Sequence, residues 1–176
     1  MKKGLEQFNI VPLCIPMDAN GAGALLTSIY FSFKGYRSAT IVGLFGDASA
    51  GHDLGIKLYQ AKDVAGTDAK VLNALSTGRI YSKEAGTFAL LQAVTGWTKQ
   101  TQATADEAWV GLTSGESVGL HAIEISQEDL DRDNGFNAVR ADLDDPTESK
   151  IIALFAILHD PRYAGAPEDM PNPLVD

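Results

Sequence analysis

The five residues Asp63-Val64-Ala65-Gly66-Thr67 have the D-x-x-G form of a nucleotide-switch loop. Such a switch acts only beside a G-x-x-x-x-G-K-[ST] loop, whose backbone N–H groups cradle phosphates while its Lys and Ser/Thr serve phosphate and magnesium. The chain contains no such loop. Its Gly-rich alternative, Gly21-Ala22-Gly23-Ala24-Leu25-Leu26, lacks the third glycine of a dinucleotide fingerprint and opens no βαβ unit. Nucleotide chemistry is therefore not expected.

Hard-cation chemistry is suggested by Asp129-Leu130-Asp131-Arg132-Asp133-Asn134-Gly135, because alternating carboxylates can converge on one calcium ion. Two departures argue against it. Gly135 falls one position too late for the sharp turn of a calcium loop, and Arg140 stands where a bidentate Glu belongs. The segment reads as a solvated acidic turn at a strand entrance, and Asp142, Asp144 and Asp145 read as a second one. His52, His121 and His159 have no His or Cys partner at metal-ligand spacing, and no Gly-x-Ser-x-Gly elbow marks a nucleophile. His121 falls in an expected strand and reads as a sheet residue. Trp97 and Trp109 read as core or interface anchors, and Cys14 as a buried small hydrophobe or an unactivated thiol. No catalytic residue, metal or cofactor is expected.

The elements that would carry these residues are mostly strands. Residues 28–33 and 38–45 are β-branched and aromatic around Lys34-Gly35-Tyr36-Arg37, which predicts a hairpin. Leu54, Ile56 and Leu58 alternate with Gly55, Lys57 and Tyr59, giving one face to a core. Residues 79–83, 96–102, 118–125 and 137–143 read the same way. The apolar run at 151–158, closed by Pro161, predicts a last strand buried on both sides. Short helices are expected from Thr104 to Leu112 and from Ser126 to Asn134-Gly135, on capping-box spacing. Short strands at this spacing predict an antiparallel sandwich or barrel.

Two ends frame that domain. Residues 1–27 mix Pro12, Pro16, Gly21 and Gly23 with isolated hydrophobes, and residues 161–176 hold Pro161, Pro167, Pro171 and Pro173. Both read as extended arms around a β-sandwich at 28–160. Phe8, Ile10, Leu13, Tyr163 and Leu174 make them more apolar than solvated tails require.

Composition limits the partners. The 176 residues, 45% hydrophobic, suit a single buried core. With 23 acidic against 14 basic residues the net charge is −9, and no basic cluster follows Lys2-Lys3, so nucleic acid is not an expected partner. One cysteine allows no internal disulfide and fits synthesis in a reducing compartment. Glu6, Gln7 and Asn9 interrupt any signal-peptide core, and no apolar run reaches membrane-spanning length.

Three segments, at 56–72 (IKLYQAKDVAGTDAKVL), 122–143 (AIEISQEDLDRDNGFNAVRADL) and 154–165 (LFAILHDPRYAG), taken in order, resemble a group of capsid-associated virion proteins of tailed bacteriophages. The resemblance runs over roughly residues 28–166. It implies a jelly-roll β-sandwich of the decoration or cement class, which stabilises the head by binding the outside of the major capsid protein shell. It also implies a homo-oligomer, dimer or trimer, made in the bacterial cytoplasm and carried on the virion exterior. Phe8, Ile10, Leu13, Tyr163 and Leu174 would be its contacts, and Val64 to Asp68 a tight turn in which Gly66 supplies a positive φ and Asp63 and Asp68 accept backbone N–H bonds. Two other functions are weighed against this one: a ring-forming head-completion or tail component at the portal vertex, and a carbohydrate-binding sandwich module.

Overall fold

The computed structural model describes residues 4–18, 26–46, 55–72, 79–84, 96–100, 109–110, 118–143, 149–163 and 165–175. Gly21 to Leu25, His52, Asp144 and Asp145 lie outside the described residues.

The strands, in chain order, are β1 (Phe8–Asp18), β2 (Leu26–Thr27), β3 (Phe31–Ser32), β4 (Ser38–Phe45), β5 (Gly55–Ala61), β6 (Lys70–Val71), β7 (Ile80–Glu84), β8 (Thr98–Gln100), β9 (Trp109–Val110), β10 (Gly119–Ser126), β11 (Ala138–Leu143) and β12 (Ile151–His159). They form two packed antiparallel sheets. The first has the order β1-β12-β4-β10-β7-β8 and the second β2-β11-β5-β6, with β3 also on β11 and β9 also on β5. The pairings are nested: β1 takes β12, β2 and β3 take β11, β4 takes β10, and β5 takes β6. A long hairpin wrapped around its own core in this way is the jelly roll, as expected; β7 and β8 extend its first sheet beyond β10.

One apolar core lies between the sheets, with Phe31, Phe33, Tyr36, Ile41, Ile56, Ile80, Ile123, Leu143, Ile152 and Leu154 at its centre. Burying side chains of this size stabilises by roughly 1.5–3 kcal/mol each before chain entropy is counted.

The N-terminal segment read as an arm is a strand of the sandwich. Phe8–Asp18 pairs with β12 along most of its length, and Val11 and Leu13 enter the core. The domain boundary therefore moves from residue 28 to the N-terminal strand. Its prolines are tolerated because β1 is an edge strand and its register with β12 shifts between Pro12 and Cys14 and again between Cys14 and Met17, the second shift spanning Pro16; edges and bulges are where a residue without an N–H fits a sheet. The C-terminal segment keeps its irregular, Pro-rich character but folds back onto its own domain. The Ser32 N–H donates to Pro173 O at 2.7 Å, the Tyr36 hydroxyl donates to Pro171 O at 2.9 Å, and the Arg162 N–H donates to Gly35 O at 2.8 Å.

Four further expectations are corrected. Residues 28–33 and 38–45 form no hairpin, since β3 belongs to the second sheet and β4 to the first. The turn at Gly35 (φ +85) carries the chain between sheets and drops Tyr36 into the core. Trp109 and Val110, inside the helix expected from Thr104 to Leu112, are a strand on β5; the rest of that segment lies outside the described residues. The strand β12 is buried on one side only: Ile152, Leu154, Ala156 and Leu158 face the core, whereas Ile151 is 48% exposed and Ala153, Phe155 and Ile157 are half-buried. The short helix expected from Ser126 to Asn134-Gly135 is broken into two single 3-10 turns, the first with a Ser126–Asp129 capping box and the second ended by Gly135 at φ +84.

Candidate interaction surface

The two outer faces of the sandwich differ in chemistry. On the second sheet most outward positions of β5 and β11 are polar or amphipathic, with Lys57 opposite Asp142 and Tyr59 opposite Arg140; the next pair, Ala61 and Ala138, is covered by Tyr30 and Val64 in a small apolar cluster. The Arg140 guanidinium carbon sits 4.9 Å from the ring centres of both Tyr30 and Tyr59, and its Nη2 donates to the buried Asp142 carboxylate at 2.9 Å. Burial pushes the Asp142 carboxyl above its ordinary pKa, with Arg140 offsetting part of that. This face obeys the usual alternation of apolar-in and polar-out.

The outer face of the first sheet does not. Its register sets Ile10 beside Ile157 and Thr40, then Pro12 beside Phe155, Val42 and Ala122, then Ala153 beside Leu44 and Leu120. Ile10, Leu44 and Ile151 are each more than two-fifths exposed. From strand spacing and rise, the stretch of sheet that carries these residues has a footprint of roughly 300–400 Å²; Val42 and Ala122 within it are buried, so the exposed apolar surface is smaller and is contributed chiefly by Ile10, Leu44 and the half-buried Phe155, Ile157 and Leu120. Sequence reading missed it because uninterrupted hydrophobicity in 151–158 has the same appearance whether the second face meets core or exterior.

Toward the start of β4 the face becomes polar and concave. A cavity of about 290 Å³ is lined by Thr40, Tyr81, Trp97, Ala122 and Glu124. Thr40 and Glu124 also line a neighbouring cavity of about 510 Å³ that reaches Ser38, Arg79, Ser126, His159 and Asp160. Within it Thr40 Oγ1 lies 2.9 Å from His159 Nε2, and the Ser38 hydroxyl donates to Asp160 at 3.2 Å. Trp97 is 52% exposed, so it is no core anchor. A third cavity, of about 560 Å³, continues past His159 and Asp160 to Phe8, Arg37 and Arg162.

The residues singled out from sequence are scattered. Phe8 is half-buried opposite His159, and Ile10 is on the apolar field. Leu13, expected at a partner interface, is 6% exposed and packs in the core, so it is withdrawn from the contact set. Tyr163 is 76% exposed and Leu174 43%, both on the folded-back C-terminal segment. Burial raises the pKa of the Cys14 thiol, which donates to Ile15 O at 3.3 Å.

The carboxylates of the calcium-like segment do not converge. Asp129 receives both Arg79 nitrogens, at 2.5 and 2.7 Å, together with the Ser126 N–H and hydroxyl. Burial opposes its charge, but these bonds outweigh burial and hold its pKa below the ordinary carboxylate value. Asp131 is bound by Lys70 and Asn134. His121 is a core residue, edge-on to Phe45 at 4.5 Å, and burial with the nearby Lys150 charge lowers its pKa to about 3. The D-x-x-G segment is a turn: Gly66 has φ +86, its N–H donates to Asp63 O, and the Thr67 N–H donates to Asp63 Oδ1 at 2.9 Å. Asp68 pairs with the Lys62 amine at 2.6 Å rather than accepting a backbone N–H as expected. Among the described residues no helix is long and apolar enough to cross a membrane, and no group of three or more acidic, His or Cys side chains is placed to hold a metal.

Comparison of the chain with protein-family models, with curated proteins and with solved structures finds no match.

Proposed function

We propose that this jelly roll is a non-enzymatic virion structural protein that docks on the outside of a phage capsid shell through the outer face of its first sheet. One observation carries the reading: an antiparallel sheet whose solvent face, between β1 and β10, is apolar at Ile10, Phe155, Ile157, Leu44 and Leu120. Covering such a face against a partner recovers about 25 cal/mol per Å² of apolar surface. Acidic charge over the chain as a whole favours neither DNA nor non-specific self-association, which suits a protein held at the exterior of a DNA-filled head. The ordered resemblance of residues 56–72, 122–143 and 154–165 to capsid-associated proteins supports the same location. In this reading the partner is the major capsid protein, and the protein assembles on the shell as a dimer or trimer.

Co-sedimentation of the protein with mature, undecorated capsids tests it. Saturation is expected at hundreds of copies per shell, and the double variant Ile10→Lys, Leu44→Lys is expected to bind at least tenfold more weakly with an unchanged melting temperature. Saturation at about a dozen copies, the number ring symmetry dictates, would place the protein at a portal vertex instead. Binding unaffected by the double variant would remove this face from the contact.

A further inference from the structure

The groove beside the apolar field has a chemistry of its own. Its floor is Ala122, which lies between Val42 and Tyr81 in the sheet register; a methyl group between two larger side chains makes a flat sheet locally concave. One wall is aromatic, from Tyr81 and the half-exposed Trp97, with the Lys83 amine 5.7 Å from the Trp97 ring centre. Beyond the floor the groove offers hydroxyl, carboxylate, imidazole and guanidinium groups on adjoining strands.

Several of these groups are held in place. Thr40 and His159 bond one another across β4 and β12, Ser38 bonds Asp160, and Arg79 is fixed by two bonds to Asp129. Preorganised polar groups beside an apolar platform are the composition of a specific small-ligand cleft, and each of the two cavities falls at or near the roughly 300–1,000 Å³ expected for one.

The mixture of charges selects the ligand class. A phosphate or other anion would meet Glu124 and Asp160, and a cation would meet Arg79. A neutral ligand dense in hydroxyls satisfies both sets, since hydroxyls donate to carboxylates and accept from guanidinium. A pyranose adds an apolar C–H face, complementary to the electron-rich face of an aromatic ring. We infer that the groove from Trp97 and Tyr81 through Glu124 and Thr40 to His159 binds a short neutral oligosaccharide, with Trp97 as the stacking platform. The groove shares Thr40 and Ala122 with the edge of the apolar field, but its assignment does not depend on the capsid reading.

Calorimetric titration of the full chain with cellohexaose, chitohexaose, maltohexaose and mannohexaose tests the assignment. At least one is expected to bind in the micromolar to millimolar range. Trp97→Ala should then weaken binding about tenfold or more, and Thr40→Val several-fold, with melting temperature unchanged. No heat from any of the four at millimolar concentration would overturn the proposal, as would binding that both variants leave intact.

Discussion

Gly66 shows how a residue that looks catalytic in sequence can be fixed by geometry alone. Its φ of +86° is strained for any residue with a side chain, and a Cβ built there would come within 2.8 Å of Tyr30 Cε2. Gly66→Ala should therefore cost about 1–3 kcal/mol, lowering the melting temperature by about 2–4 °C per kcal/mol for a domain of this size. Scanning calorimetry would check it, and an unchanged midpoint would mean the turn can re-form without a positive φ. The turn was legible in the sequence because Asp63 and Gly66 act on their nearest neighbours. Glu124 and Trp97 were not legible as parts of one site, because only the pairing of β10 with β7 and of β7 with β8 brings them to a common groove.

Strand β1 sets the limit of legibility for elements. Alternation and β-branching revealed β4, β5, β10 and β11, whereas Pro12 and Pro16 masked β1, since a proline argues against a central strand and says nothing against an edge with register shifts. Conversely, β12 was recognised as a strand but assigned two buried faces, because a continuous apolar run does not distinguish core from exterior. The mechanical consequence differs from that of a detachable arm. Deleting residues 1–16 removes Val11, Leu13 and most of the pairing with β12. The two core side chains alone contribute roughly 3–6 kcal/mol, a large part of a typical domain's net stability. The truncated protein is expected to lose its near-ultraviolet circular dichroism and cooperative melting. Retention of both would show that β12 is stable as an edge strand without β1.

At the scale of the whole molecule, buried titratable groups tie the sandwich to pH. Unfolded, the His121 imidazole takes up a proton near 6.5; folded, it does so only at about 3. Between these values the unfolded chain binds the extra proton, so stability is full above pH 6.5 and falls as pH drops, by up to about 1.36 kcal/mol per pH unit. Asp129, with its folded pKa lowered, adds to the loss within the carboxylate range; Asp142, with its pKa raised, opposes it because the folded form keeps its proton to higher pH. Denaturant unfolding from pH 7 downward should show this slope, and His121→Leu should flatten it above the carboxylate range; an equal slope in the variant would assign the acid sensitivity elsewhere. The nested pairing of β1 with β12 also has a consequence in time. Phe8 meets His159, roughly 150 residues later in the chain, so at about 5–20 residues per second the first strand leaves the ribosome several seconds to half a minute before its partner exists. Through that interval a nascent apolar strand is open to the wrong neighbour, and two prolines that interrupt its hydrogen-bonding edge act as guards against premature pairing.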